Sequence, residues 1–296
     1  MKNLIVSSAD QKYSHLLKEL YLSIETFSDD YDFAILDCGI DQSTINFFKT
    51  KNIQVVKPNW EFPIPEYKIR GRENLKVQFS RFFLDSYFPG YETYIWLDSD
   101  TWVNNFENFD LYRRAANFGG FSITPQVDRS YKKLIDIKWF LNFPKKINSI
   151  NFKNISKSIS TKLGKKFAGY FTLNAGCFAY SANFDGIKKI RSNLELCSKK
   201  GRVFGSDQSA LALTLFEDQI EFELLPSYCN WLCETKLPKY SIEDNCYVEP
   251  YTPHTKIGII HLAGMDQDRK EQLKYHKIKT LDGQILDKHL RFHMTA

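Results

Sequence analysis

Two hydrophobic periodicities alternate through the first 56 residues, and this restricts the fold more than any other feature. Leu4–Ser7 is a short apolar run. Tyr13, Leu16, Leu17, Leu20, Tyr21 and Ile24 then recur at the three-and-four spacing of an amphipathic helix. Phe33–Leu36 is a second apolar run. Asp41 and Ser43 can cap a helix carrying Ile45, Phe47 and Phe48, and Ile53–Val56 is a third run. Strand, helix, strand, helix, strand predicts an α/β fold with a parallel sheet covered by helices. At 296 residues the chain has room for one large domain of this kind.

Further along, Pro58, Pro63 and Pro65 mark a loop, and Leu75, Phe79, Phe82 and Phe83 form the buried face of an expected helix. Tyr94–Leu97, Gly119–Thr124 and Phe171–Tyr180 read as strands. Ile187, Ile190, Leu194 and Cys197 mark a helix, and Ser206 can cap another through Leu215. Ile220–Leu225 and Ile257–Ile260 read as closing strands. The last 30 residues are polar with a weak helical tendency. The expected organisation is one domain over 1–265 and a polar extension over 266–296.

Apolar residues at 43% and charged residues at 25% exclude a disordered tail or a fibrous repeat. Aromatics are abundant at 15%, which suits a stiff core and also aromatic walls around flat ligands. No apolar stretch approaches the roughly 20 residues of a bilayer-spanning helix. The opening MKNLIVSSAD reads as a buried first strand rather than a secretory signal, so a cytoplasmic location is expected. Six unevenly scattered cysteines fit reduced thiols better than a disulfide framework. Cys229, Cys233, Cys246 and His254 admit a zinc reading, but their spacing is not that of a usual knuckle.

The net charge of +5 is unevenly distributed. Residues 129–167 hold eleven Lys or Arg against one acid, Asp136, so this stretch is +10 and the remainder is −5. The segment 128–166 is read as a basic insertion over the active face, with patches of helical character and no clean period. A solvated surface is the plain account of it. The sharper one is contact with an anionic membrane surface or an anionic lipid-linked acceptor, with Trp139, Phe140 and Phe143 dipping into the interface. Its aromatics match no RNA-binding module, so nucleic acid is not an expected partner.

Asp-x-Asp occurs three times, at Asp30–Asp32, Asp98–Asp100 and Asp266–Asp268. Only the middle pair follows an apolar run, Tyr94–Leu97, and precedes Trp102 and Val103. Ligands of open α/β sheets bind at the carboxyl ends of strands, and two carboxylates fixed there suit a hard divalent cation gripping a diphosphate. His261 closes the run Ile257–Ile260. At the same sheet edge it would complete a set of two carboxylates and one imidazole, which favours Mn²⁺ over Mg²⁺.

The order of motifs resembles glycosyltransferase family 8, retaining nucleotide-sugar transferases with a GT-A fold. Ser8-Ala9-Asp10-Gln11-Lys12-Tyr13 is similar to the family's nucleotide-binding Ala-Asp-x-x-Tyr segment. Tyr94-Ile95-Trp96-Leu97-Asp98-Ser99-Asp100 resembles its Tyr-Leu-Asp-x-Asp. Leu173-Asn174-Ala175-Gly176 resembles its Phe-Asn-Ala/Ser-Gly strand, Asp207-Gln208 its Asp-Gln pair, and His261-Leu262-Ala263-Gly264 the start of its His-x-x-Gly loop. These five motifs span residues 4–264.

The resemblance implies a Rossmann-like domain with a mixed, mostly parallel central sheet. It also implies a transferase moving a hexose from a UDP-sugar, with retention, to a glycan, lipid-linked or protein acceptor. Ala9, Asp10 and Tyr13 would hold uracil and ribose, with Ser99, Gly264 and Lys270 completing the nucleotide site. Asp98, Asp100 and His261 would bind Mn²⁺, with Mg²⁺ as the alternative. Arg81 and Lys76 would neutralise phosphates or grip the sugar. Asn174, Ala175 and Asp207 would contact the donor sugar. Gln208, with Asp207, would carry the catalytic role at the sugar's far face.

Two positions depart from the pattern. The family's lysine after the glycine is Gln267 here and its Pro-Trp is absent, so Arg269 or Lys270 must supply any cation from this loop. Lys12 stands where the family often has Asn. Two other readings share the motifs: an inverting transferase with Asp207 as general base, and a nucleotide-sugar-binding protein without turnover.

Overall fold

A computed structural model describes residues 2–25, 30–271 and 273–293. The chain opens β1 (Asn3–Ala9), α1 (Ser14–Glu25), β2 (Tyr31–Asp37), α2 (Gln42–Thr50), β3 (Gln54–Val56), as the two periodicities require. Asp41 caps α2 by accepting from Thr44 N at 2.9 Å.

The expected helix over Leu75–Phe83 is instead a run of single turns: α3 (Glu66–Ile69), a 3-10 turn (Glu73–Lys76), α4 (Val77–Ser80) and α5 (Leu84–Tyr87). Its apolar residues are nevertheless buried where a helical face would put them, with Leu75, Phe79 and Phe82 in the core.

β4 (Thr93–Leu97) and β5 (Thr101–Val103) bracket the Asp98–Asp100 turn. α6 (Phe106–Gly119) is absent from the sequence-based expectations, although Asn105 caps it and it buries Phe109, Tyr112 and Ala116. β6 (Phe121–Pro125) follows. The basic insertion folds as a hairpin, β7 (Asp136–Phe140) and β8 (Phe143–Asn148), and two helices, α7 (Ile150–Ser158) and α8 (Thr161–Phe167). The helical character is thus present, and the hairpin is new.

Next come β9 (Leu173–Ser181), α9 (Gly186–Lys200), α10 (Ser206–Phe216) and β10 (Glu223–Leu224). The main sheet has seven strands in the order β10-β6-β9-β4-β1-β2-β3, and within it only β9 runs antiparallel to its neighbours. Successive residues of β1 and β4 feed opposite cores. Leu4, Val6, Tyr94 and Trp96 pack on one face, and Ile5, Ile95 and Leu97 on the other. A sheet covered on both faces needs continuous apolar strands, which is why these runs read so clearly. Stacked rings, Phe82 on Phe178 at 4.9 Å and Phe121 on Phe178 at 5.4 Å, account for part of the aromatic surplus.

A second sheet joins β11 (Trp231–Leu232), β14 (Ile259–His261) and β5, and β12 (Lys239–Ser241) pairs with β13 (Cys246–Val248). The last residues differ from the weak helix expected. After the one-turn α11 (Asp266–Lys270) they form the hairpin β15 (Tyr275–Lys279) and β16 (Ile285–His289). Ile278 and Leu290 are buried with Trp231 and Ile260, and Trp102 Nε1 donates to Leu290 O at 2.7 Å.

Candidate active site

β4 ends at Leu97, and the chain turns sharply into β5. Thr101 N and Oγ1 both donate to Asp98 O, at 3.2 and 2.7 Å, and this turn presents Asp98 and Asp100 at the sheet's carboxyl edge. The antiparallel register of β14 on β5 sets His261 opposite Thr101, and Leu262 N donates to Asp100 O at 2.9 Å. Residues more than 160 positions apart in sequence therefore meet because two short strands pair.

One ligand atom from each of Asp98, Asp100 and His261 lies within 4.8 Å of the other two. His261 Nε2 is 3.4 Å from Asp100 Oδ1, and His261 Nδ1 donates to Asn230 Oδ1 at 2.9 Å. That bond orients the ring and leaves Nε2 facing the carboxylates, the outer-shell arrangement of a metal-binding histidine. The donors fit a divalent cation of the Mn²⁺ or Mg²⁺ kind in number and chemistry. Gly176 on β9 makes room for them. A Cβ there would sit 2.6 Å from His261 Cε1, 2.9 Å from Asp98 Oδ2 and 3.0 Å from Asn174 Oδ1.

Arg81 is the cation at the centre. It is 4% exposed and donates from Nη1 to Ala175 O at 2.9 Å. Its guanidinium lies 4.9 Å from the centre of the Trp96 ring. Nη1 is 3.4 Å from Asp98 Oδ1 and 3.6 Å from Asp207 Oδ2. Trp96 Nε1 in turn donates to Asp98 Oδ1 at 2.8 Å. Burial pushes the Asp98 carboxyl up, with Arg81 opposing. Burial acts the same way on Asp100, but the His261 and Arg269 contacts outweigh it and hold that carboxyl down.

Asp207 occupies the first turn of α10 and is buried, which raises its carboxyl against the pull of Arg81. Its Oδ1 accepts from Gln208 N at 2.8 Å, so a helix-end role and a site role coexist. Gln78, with its amide turned so that both ends are satisfied, donates to Asp207 Oδ2 at 2.9 Å and accepts from Arg81 at 3.2 Å. Gln208 is half-buried, and its Oε1 accepts from Asn154 Nδ2 of the insertion at 3.3 Å. Asn174 Oδ1 accepts from Gly176 N at 2.9 Å beside the metal-type cluster.

A pocket of about 170 Å³ opens on the aspartates, lined by Ser8, Tyr13, Val77, Trp96, Asp98, Ser99, Asp100 and Arg269. Asp10 accepts from Lys12 N and Tyr13 N and from Asn74 Nδ2 at 3.3 Å, fixing the turn that carries Tyr13. Ala9 ends β1, buried.

Of the two cations left open for the loop after His261, Arg269 enters this pocket. Its Nη1 is 3.1 Å from Asp100 Oδ2, its guanidinium is 5.5 Å from the Tyr13 ring centre, and its buried Nε has no partner among the described residues. Lys270 is exposed and outside the lining. Lys76 is buried and 3.7 Å from Glu73, also outside it. Gly264, at φ +81°, packs against Glu234, whose Oε2 would collide with a Cβ there, and both line a neighbouring cavity rather than this pocket.

The zinc reading fails. The six cysteines are free, His254 Nδ1 is 2.9 Å from Glu249 O, and among the described residues the aspartate–histidine set is the one cluster of metal-ligating side chains.

The fold has relatives of known structure. An active-site mutant of LgtC aligns over 88% of this chain and 87% of its own, with a TM-score of 0.50 and 14% identity. The bifunctional glycosyltransferase WbbM aligns over 89% of this chain and 46% of its own, at 0.51 and 14%. The glycosyltransferase GlyE of Streptococcus pneumoniae TIGR4 aligns over 92% and 57%, at 0.50 and 16%. The chain has the GT-A glycosyltransferase fold. No protein-family profile and no curated protein sequence matches it. The fold agrees with the resemblance carried by the five motifs.

Trp96, Gln78, Asn154 and Asn230 were not expected at the site. Trp96 alone carried a signal, because two positions before Asp98 on a strand it shares that residue's face. The other three are polar residues whose neighbours are set by tertiary pairing.

Proposed function

We propose that this protein is a retaining, metal-dependent glycosyltransferase that takes a UDP-hexose as donor. The observation that carries the reading is the convergence of Asp98, Asp100 and His261 with Arg81 at the carboxyl end of β4. Asp98, Asp100 and His261 would hold a divalent cation, Mn²⁺ by the mixed oxygen–nitrogen donor set, which would supply positive charge toward a leaving diphosphate.

The chain's own groups follow from the charge that develops. Departure of the diphosphate leaves positive charge at the anomeric carbon and negative charge on the phosphate oxygens. Arg269 lies beside Asp100 and the Tyr13 ring, positioned for the diphosphate and base. Tyr13 offers a ring face to uracil, with Ala9, Asp10 and Ser99 around it. Asn174, Ala175 and Asp207 border the donor hexose. Gln208 is neutral and cannot serve as a strong nucleophile, so attack from the face of the leaving group, with its phosphate as base, gives retention.

Asp207 makes a poor general base for the inverting alternative. Its oxygens already accept from Gln208 N and Gln78 and its charge is matched by Arg81, which favours a fixed hydrogen-bonding role over proton abstraction from an acceptor. A screen of UDP-hexoses for Mn²⁺-dependent UDP release tests the reading without an acceptor. Release with one or more of them is expected, and release from none would favour a binding protein without turnover.

We further propose a peripheral contact with the inner face of an anionic membrane through the hairpin β7–β8. Trp139, Phe140, Leu141 and Phe143 at its tip are 61–81% exposed, flanked by Lys138, Lys145 and Lys146. Each such cation near an anionic surface contributes on the order of 1 kcal/mol. No helix among the described residues is long and apolar enough to cross a membrane.

A further inference from the structure

A second cavity, of about 650 Å³, lies apart from the aspartate pocket and is ringed by Lys68, Arg70, Arg72, Lys157, Lys200 and Arg202, with no acid among its lining residues. None of the six is ion-paired with a carboxylate among the described residues. Lys68 caps the end of α9 by donating to Ser198 O at 2.8 Å, which anchors one wall. Arg70 and Arg72 bond through Nε to the nearby backbone oxygens of Tyr67 and Ile69, and their remaining N–H groups have no hydrogen-bond partner among the described residues. Two large rings, Tyr67 at 70% and Phe204 at 68% exposure, border the same space.

Each wall leads within a few residues to the proposed reaction site. Arg72 precedes the turn whose Asn74 reaches Asp10. Lys157 is one helical turn beyond Asn154, which donates to Gln208. Arg202 and Phe204 precede Gly205, which at φ +84° opens the helix bearing Asp207 and Gln208 and sits 3.1 Å, at its missing Cβ, from Asn154. Two of its walls, at Lys157 and at Arg202–Phe204, thus continue directly into the residues around Gln208, and none of its lining is shared with the aspartate pocket.

Six like charges around one space repel each other unless an anion meets them. Arginine forks match phosphate oxygens two at a time, and exposed aromatic faces suit the apolar face of a sugar ring. We infer that this cavity is an acceptor subsite for a phosphate-bearing saccharide. The inference rests on the transferase reading for the word acceptor, while the binding itself does not depend on it.

The test measures binding of glucose 6-phosphate, glucose and inorganic phosphate by calorimetry at low salt, with UDP and Mn²⁺ present to occupy the donor site. Glucose 6-phosphate should bind at least tenfold tighter than glucose or phosphate. The combined Arg70→Ser, Arg72→Ser and Arg202→Ser variant should lose that advantage while keeping Mn²⁺-dependent UDP release. Equal binding of glucose and its phosphate, or an unchanged affinity in the variant, would overturn the subsite. Binding by inorganic phosphate as tight as by the phosphosugar would overturn its saccharide part. Absence of UDP release in both proteins, with phosphosugar binding intact, would count against the transferase reading alone.

Discussion

Arg81 Nη1 lies 3.4 Å from Asp98 Oδ1, deep in the chain, and the same nitrogen also faces Asp207 at 3.6 Å. One guanidinium thus compensates a proposed metal ligand and a proposed donor-sugar contact. Both carboxyls are pushed upward by burial, and in each the same cation opposes that shift.

Arg81→Met would leave the buried Asp207 and the half-buried Asp98 without their counter-charge. Breaking buried pairs from one side costs about 3–5 kcal/mol. Urea unfolding at neutral pH should show a loss of that size, and a loss below 1 kcal/mol would mean the pairs are solvated in solution.

Asp207→Asn reports the same burial through pH. A carboxyl raised in the folded state binds its proton there more tightly than in the unfolded chain, so stability falls as pH rises from the ordinary aspartate value of about 3.9 through the raised one. The stability difference, variant minus wild type, should therefore grow in the variant's favour across that window and level off above it. A difference that moves the other way would show that Arg81 outweighs burial.

Gly176→Ala inserts a methyl against His261, Asp98 and Asn174. Displacing oriented metal ligands costs on the order of 10–100-fold in affinity. Manganese titration followed by electron paramagnetic resonance should show a loss in that range with the circular dichroism spectrum unchanged. Unaltered affinity would place the metal elsewhere.

Gln208→Ala should lower kcat by roughly 10²-fold, the scale for losing one polar contact to the reacting centre, with a smaller change in the donor KM. Asn154→Ala, which only frees Gln208, should lower kcat less. An effect confined to KM would make Gln208 a binding residue.

The sequence made the main sheet legible because its strands are buried on both faces and stand out as apolar runs. It made Asp98 legible for the same reason, since the pair directly follows such a run. His261 was legible only as an isolated residue after a strand; what brings it to Asp100 is the β14–β5 register, which no local pattern encodes. The choice of Arg269 over Lys270 is likewise set by how a five-residue helix docks, with Arg269 O held 2.8 Å from His15 Nε2. The two hairpins were hidden because β7–β8 and β15–β16 are largely exposed and carry no clean alternation of apolar and polar residues.

The coupling between metal and nucleotide tests the central claim most directly. UDP affinity would be measured by calorimetry with Mn²⁺ and again with chelator, for the wild type and for Asp100→Ala. Binding at least tenfold tighter with Mn²⁺ in the wild type, and no such gain in the variant, is expected. Equal UDP affinity with and without Mn²⁺, or a gain that survives Asp100→Ala, would contradict a nucleotide site built on Asp98, Asp100 and His261.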